Sequence, residues 1–351
     1  MSNSSQSKIS WFLDSSVDGI SLPERFTFPF DYAPHPLTKI AATELQHYLE
    51  TQTDLDHNFG LYADREGVVD GKMFGVLVVL DTVGKLGYLS AFSGKLAGSN
   101  DHPRFVPPVF DMLHHDSFFS KEIVRIDTIS ARIREIEKDK NYQHLKLEIE
   151  KLSAQSLREE TIFRDQLKSN KASRKQVREE QKNNLSQQDY DVLEAELIRY
   201  SLHDKHQLKV LINNWKQILE EARTGLAQFD CDIEILKNER QEKSAALQQQ
   251  LFKHYVFLNK DGRSKSLQEI FSLTPAGKPP TAAGECATPK LLQFAFANGY
   301  KPLAMAEFWW GASPKSEIRK HKHYYPACTA RCKPILAHML EGILVDESPL
   351  A

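Results

Sequence analysis

Cysteine is scarce in this chain, with four in 351 residues, too few for a scaffold held by disulfides. No apolar run approaches the ~20 residues of a membrane-spanning helix. Residues 1–16 are serine-rich and lack the basic-then-apolar order of a secretory signal. The formal net charge is only -2, so no excess of one sign draws nucleic acid to the whole surface, and any such contact has to be local. Between Phe118 and Leu251 proline is absent and Gly225 is the one glycine. These absences lead us to expect a cytoplasmic protein with no membrane partner. Hydrophobic residues make up 41% and charged residues 26%, enough to bury a core, and the length suggests about two domains.

What fills the stretch without proline is Glu, Lys, Arg, Gln and Leu, a composition that signals a coiled coil. Ile126, Ile129, Ile133 and Ile136 begin a three/four repeat that resumes in Leu145, Ile149 and Leu152. It returns in Leu211, Trp215, Ile218, Ala222, Leu226, Phe229, Ile233 and Leu236. Asn183 to Ser186 reads as the turn, with Ser186 and Asp189 as a capping box. The reading is an antiparallel helical hairpin of roughly 90 Å, at about 1.5 Å per residue. Its outer half carries Lys168, Lys171, Arg174, Lys175 and Arg178, either a solvated helix face balanced by glutamates or a contact for RNA phosphates.

On either side the pattern is mixed. Residues 22–36 are rich in proline and aromatics and read as an extended lead-in. Leu37 to Thr51 shows helical spacing, and Met73–Leu80 with Tyr88–Phe92 reads as a hairpin of strands. Ser93 to Gly98 lacks the spacing of a phosphate-binding loop and reads as a connection leaving a strand. Beyond the hairpin arm, Tyr255–Leu258 reads as a strand, 259–262 as a turn and Leu267–Phe271 as a short helix.

The chemistry concentrates between Gly284 and Gly342, which hold three of the four cysteines. Glu285 and Cys286 open a helical run through Leu291, Leu292, Ala295 and Phe296, where a first helical turn favours a thiolate. Pro302–Trp310 reads as a buried strand with Glu307 as its only charge. A helix is expected after Pro326, placing Cys328 and Cys332 on one face with Pro334 in the first turns. Cys286, Cys328 and Cys332 thus form a candidate three-thiolate zinc set with an open fourth position, with Glu285 as candidate proton shuttle. The alternative is three reduced cysteines filling core positions. Glu307, Trp309, Trp310, Arg319, His321 and His323 are expected around the same pocket.

Two resemblances follow from these residues. LPERFTFPFDYAPHPL, FGVLVVLDTVGKLGYLSAFSGKL, PPVFDML, GECATPKLLQFAF, PLAMAEFWWG and YPACTARCKPILAHMLEG resemble the N-terminal region of large bacterial RluA-type pseudouridine synthases. In that family a catalytic domain with an H-R-L-D motif follows. No such motif occurs in these 351 residues, and Arg125-Ile-Asp127 lies within the helical repeat, so it is assigned no catalytic role. This resemblance implies ribosomal or transfer RNA as partner, and a synthase domain encoded separately. The order of elements also resembles zinc-dependent nucleobase deaminases, which implies Cys286, Cys328 and Cys332 as ligands and Glu285 as shuttle. Those enzymes place the glutamate two residues after the first ligand, where this chain has Thr288.

The expected fold class is α+β, a small deaminase-like domain interrupted by a long antiparallel coiled-coil hairpin. The expected limits are a flexible N-terminus over 1–21, globular parts over 22–117 and 252–344, the arm over 118–251 and a tail over 345–351. The expected function is that of an accessory RNA-positioning part of an RluA-type pseudouridine synthase. A zinc-dependent nucleobase deaminase and a structural coiled-coil adaptor stand as alternatives.

Overall fold

The computed structural model describes residues 8–62, 68–114, 116–315 and 317–349. In chain order the elements are β1 (Ile9–Trp11), α1 (Asp14–Val17), α2 (Pro36–Thr51), β2 (Lys72–Leu80), β3 (Leu86–Phe92), α3 (Phe118–Lys138), α4 (Lys140–Gln181) and α5 (Gln187–His254). There follow β4 (Val256–Leu258), β5 (Ser264–Ser266), α6 (Leu267–Ser272), α7 (Ala287–Ala297), β6 (Lys301–Trp310), β7 (Tyr324–Tyr325) and α8 (Cys332–Met339). Helix and sheet are mixed, as an α+β reading requires. The chain divides into two units, one of Met1–Ile123 with Ala245–Ala351 and one of Val124–Ser244.

In the first unit a five-stranded sheet runs in the order β1-β3-β2-β6-β7, and every neighbouring pair is antiparallel. Strand β2 is apolar on both faces because both are covered. Phe74, Val76 and Val78 pack against Leu37, Ala41, Leu45 and Leu49 of α2, whereas Leu77 and Val79 pack with α6, α7 and α8. Helix α2 starts at Pro36, whose missing N–H costs nothing in a first turn, and His35 Nδ1 accepts from Leu37 N. Gly75 is needed where α7 crosses β2: a Cβ there would lie 2.9 Å from the Ala287 Cβ. Strands β4 and β5 pair separately, and the Ser266/Glu269 capping box starts α6.

Two expectations about the ends are corrected. Within 1–21, Ile9 pairs with Leu89 and Trp11 with Gly87, so this segment supplies an edge strand and not a free lead; residues 1–7 lie outside the described residues. In the expected tail over 345–351, Val345 bridges Phe26 and Asp346 N donates to Phe26 O, so the chain returns to the body of the unit.

The second unit holds most of the helical hairpin. The turn falls at 183–186 as expected, with Asp189 N donating to Ser186 Oγ. The seam contains Ile129, Ile133, Tyr142 and Ile233, flanked by Ile136, Leu226, Phe229 and Leu236. The first arm is broken, however, at Asp139, whose side chain accepts from Asn141 N and Tyr142 N and starts a new helix. Asp is a strong N-cap, and that local preference interrupts the repeat. Helix α5 is continuous for 68 residues, about 100 Å at about 1.5 Å per residue. Arg125 and Asp127 both lie in α3, where the helical repeat placed them.

Candidate metal centre

Cys286 is the N-cap of α7, one residue before the helix proper. The helix expected directly after Pro326 starts only at Cys332, so Cys328 stands in the preceding turn and not on a shared helical face. The late start puts Pro334 in the first turn, where its missing N–H is harmless. The turn itself joins the pair: Cys332 N donates to Cys328 O, and the two Sγ atoms are 3.5 Å apart. The sulfurs of Cys286, Cys328 and Cys332 all lie within 4.8 Å of one another. Three thiolates at about 2.3 Å from a tetrahedral zinc would stand about 3.8 Å apart, so the donor set fits such an ion. Cys332 is buried, Cys286 half-buried and Cys328 exposed, so the site has a floor and an open side.

The three thiols are electrostatically unequal. Hydrogen bonds from Cys286 first, then from Cys332, together with backbone N–H groups, hold Cys328 far below the ordinary thiol range. Cys286 is pushed up, first by its bond to Cys328, and Cys332 is pushed up, first by its bond to Cys286. A metal ion bound by all three would displace whatever thiol protons remain, so its affinity should rise with pH.

Alternation along β6 supplies the carboxylate. Ala306, Phe308 and Trp310 point to the α2 face, and Met305, Glu307 and Trp309 to the other. Glu307 is 4% exposed, and its Oε1 accepts from Thr288 N at 3.0 Å and from Thr288 Oγ1 at 2.8 Å. Its Oε2 has no hydrogen-bond partner among the described residues. Burial raises its pKa to about 7, against the lowering by Thr288 and with a further push from Cys328.

The sign of that shift is testable. Because the folded pKa exceeds the ordinary 4.5, the associated stability is fully present below about 4.5 and is lost as pH rises through about 7. The loss amounts to about 3 kcal/mol. In metal-free protein, Glu307→Gln is expected to flatten the pH dependence of urea unfolding between pH 4 and 8 by that amount. An unaltered profile would show that Glu307 ionises without penalty.

Glu285 lies in a different network. Its Oε1 accepts from the Tyr255 hydroxyl, and its Oε2 faces Lys290 Nζ at 3.5 Å. Lys290, 2% exposed, also donates to Phe92 O and Gly94 O. Burial pulls the lysine pKa down and pushes that of Tyr255 up. Glu285 carries the backbone too, since its carbonyl accepts from Gly94 N and its neighbour is Cys286. Thus the loop after β3 and the N-cap of α7 are tied together, with Ser93 Oγ accepting from Ala287 N. Tyr255 and Lys290 were missed in the sequence; a lone lysine inside the apolar run 287–297 was the available signal.

The other expected pocket residues separate. Arg319 stacks over Tyr325 at 4.4 Å and lies 6.0 Å from the Trp309 ring, and its charge reaches Glu307. Trp310, by contrast, packs in the α2-side core, with His321 at 4.4 Å from its ring. His321 Nδ1 accepts from Gly311 N, and burial lowers its pKa. His323 is exposed, and its backbone holds β6 through Trp309 N.

On the arm, four of the five singled-out cations have acidic partners within the hairpin. Lys168 meets Asp165 at 2.7 Å, Arg174 meets Asp204 at 2.5 Å, Lys175 meets Glu179 at 3.7 Å and Arg178 meets Glu194 at 2.7 Å. The Arg174 and Arg178 pairs join α4 to α5, and Arg174 and Asp204 are largely buried there. Lys171 alone among the five has no ion pair among the described residues. No protein-family model, no curated protein and no solved structure matches this chain.

Proposed function

We propose that the globular unit is a zinc–thiolate domain of deaminase-like build, and that the chain serves RNA modification in the setting of an RluA-type pseudouridine synthase. The observation that carries the reading is the meeting of Cys286, Cys328 and Cys332 at the starts of α7 and α8. The order of elements supports it: helix α2, hairpin β2–β3, helix α7 behind the first ligand, strand β6, then α8 with the pair. The sheet order β3-β2-β6 sets the first hairpin strand in the middle, beneath α7. The RNA setting comes from the resemblance of the quoted segments to the synthases.

Thr288 occupies the position at which deaminases carry their glutamate, and both of its donors bind Glu307. The strand thus brings a carboxylate to the helix position that carries none. Oε1 is anchored, and Oε2 is left to hold a proton. Zinc bound by three thiolates would supply an acidified water at its fourth position. Arg319 and Tyr325 beside Glu307 offer a cation and a ring to a nucleotide.

Zinc-loaded protein is expected to release ammonia from an aminated nucleobase in RNA or in a nucleoside, followed by mass spectrometry of the bases. Glu307→Gln should lower the rate by about 10²–10⁴-fold while zinc stays bound. Thr288 at the usual glutamate position favours a second reading, an RNA-positioning module without turnover. Zinc and RNA binding with no base conversion on any substrate would decide for that module.

A further inference from the structure

The geometry points to a cleft at the far end of the sheet from the cysteines as a binding site for single-stranded RNA. It has a volume of about 430 Å³ and lies where α7 ends and β6 begins. That size is within the range of pockets for small ligands. Cys286 stands at the other end of the 11-residue α7, about 16 Å away at about 1.5 Å per residue.

Three cations line this cleft, Arg25, Lys260 and Lys301, against one acid, Glu24. None of the three has an ion-pair partner among the described residues, in contrast to the arm, where cations are answered by neighbouring acids. In a chain with a net charge of -2, unanswered positive charge gathered in one concavity is where a polyanion gains most.

Two aromatic rings share the wall. Phe296 and Tyr300 are both half-buried, and Phe294 holds Tyr300 edge-on at 6.4 Å between ring centroids. The Tyr300 hydroxyl has no partner among the described residues. Aromatic rings beside cations are the pairing by which proteins hold single strands, the bases stacking while the phosphates are neutralised. The site is also built to shape: Gly342 has φ +75°, and a Cβ there would lie 2.6 Å from Lys260 Cε. The glycine therefore lets the lysine lie across its backbone at the rim. Asn259, fully buried, fixes the turn that presents Lys260, its Oδ1 accepting from Asp261 N and Arg263 N.

The inference rests on the RNA setting proposed above and not on the thiolate site. Its test is the binding of a fluorescent single-stranded oligouridylate to the full chain across a salt series. Replacing Arg25, Lys260 and Lys301 together by Gln is expected to make the logarithmic salt slope shallower by about 2, at about 0.7 per phosphate contact. Tyr300→Ala should weaken binding about tenfold at every salt concentration and leave the slope alone. Glutamine at the five arm positions should leave the slope unchanged. Circular dichroism and the urea-unfolding midpoint of each variant report whether the chain has kept its fold.

If the triple variant keeps the wild-type slope, the cleft is overturned while the RNA setting stands. If wild-type protein binds no RNA at all, both are overturned. Neither result bears on the metal site, which the zinc measurement judges separately.

Discussion

Replacing Lys290 by Met is expected to destabilise the globular unit by about 3–5 kcal/mol, the cost of breaking a buried ion pair by removing one partner. Lys290 and Glu285 are 2% and 7% exposed, and the lysine also serves two carbonyls at the end of β3. Without it, Glu285 keeps only the Tyr255 hydroxyl, and Phe92 O and Gly94 O lose a donor. Methionine preserves the length and most of the packing volume, so the loss reports the charge. Urea unfolding of Lys290→Met, Glu285→Gln and the double variant forms a cycle. The double variant should be clearly more stable than the sum of the single losses, with a coupling of about 2 kcal/mol or more. Additive losses would mean that the two groups act independently. Because Glu285 adjoins Cys286, the single variants should also hold metal less tightly.

The second large effect concerns the metal. Protein purified without chelator is expected to carry about one zinc, and Cys328→Ser to carry none, since a three-thiolate site does not tolerate loss of a ligand. Cys328 is the residue to change because it is exposed, so its replacement alters coordination with little change in core packing. Cys332 is buried against Ile335 and Leu336, and a serine there would mix the two effects. With free zinc buffered at a thousandfold above Kd, chelation should lower stability by about 4 kcal/mol by mass action. The unit should remain folded after chelation, since its two apolar layers do not depend on the ion. Metal-free wild type, with a melting temperature indifferent to chelator, would reduce the cysteines to packing.

Much of the fold could be read from local pattern. The hairpin arm, its turn at 183–186, the β2–β3 hairpin, α2 and β6 are each announced by a periodicity or a cap within a few residues. The misreadings have two sources, a partner distant in sequence and a single local cap. Strand β1 has only three residues and no pattern of its own; it exists because β3 offers an edge. The break at Asp139 came from one capping side chain overriding a good repeat.

By itself the sequence determined that three cysteines, a buried glutamate and two helix starts occur in one stretch of about sixty residues, because residue type and periodicity are local properties. Only the tertiary structure decided which carboxylate faces which partner. Glu285 adjoins Cys286 in the chain, yet it is turned to Tyr255 and Lys290; Glu307 is 21 residues further on, yet it meets Thr288. The reason is the alternation of β6 against the first turn of α7, which requires Gly75 beneath that turn and sets one face of the strand toward the thiols. In the same way, the charges of the arm were legible as residues, whereas their pairing with Asp204 and Glu194 required two helices folded back on each other.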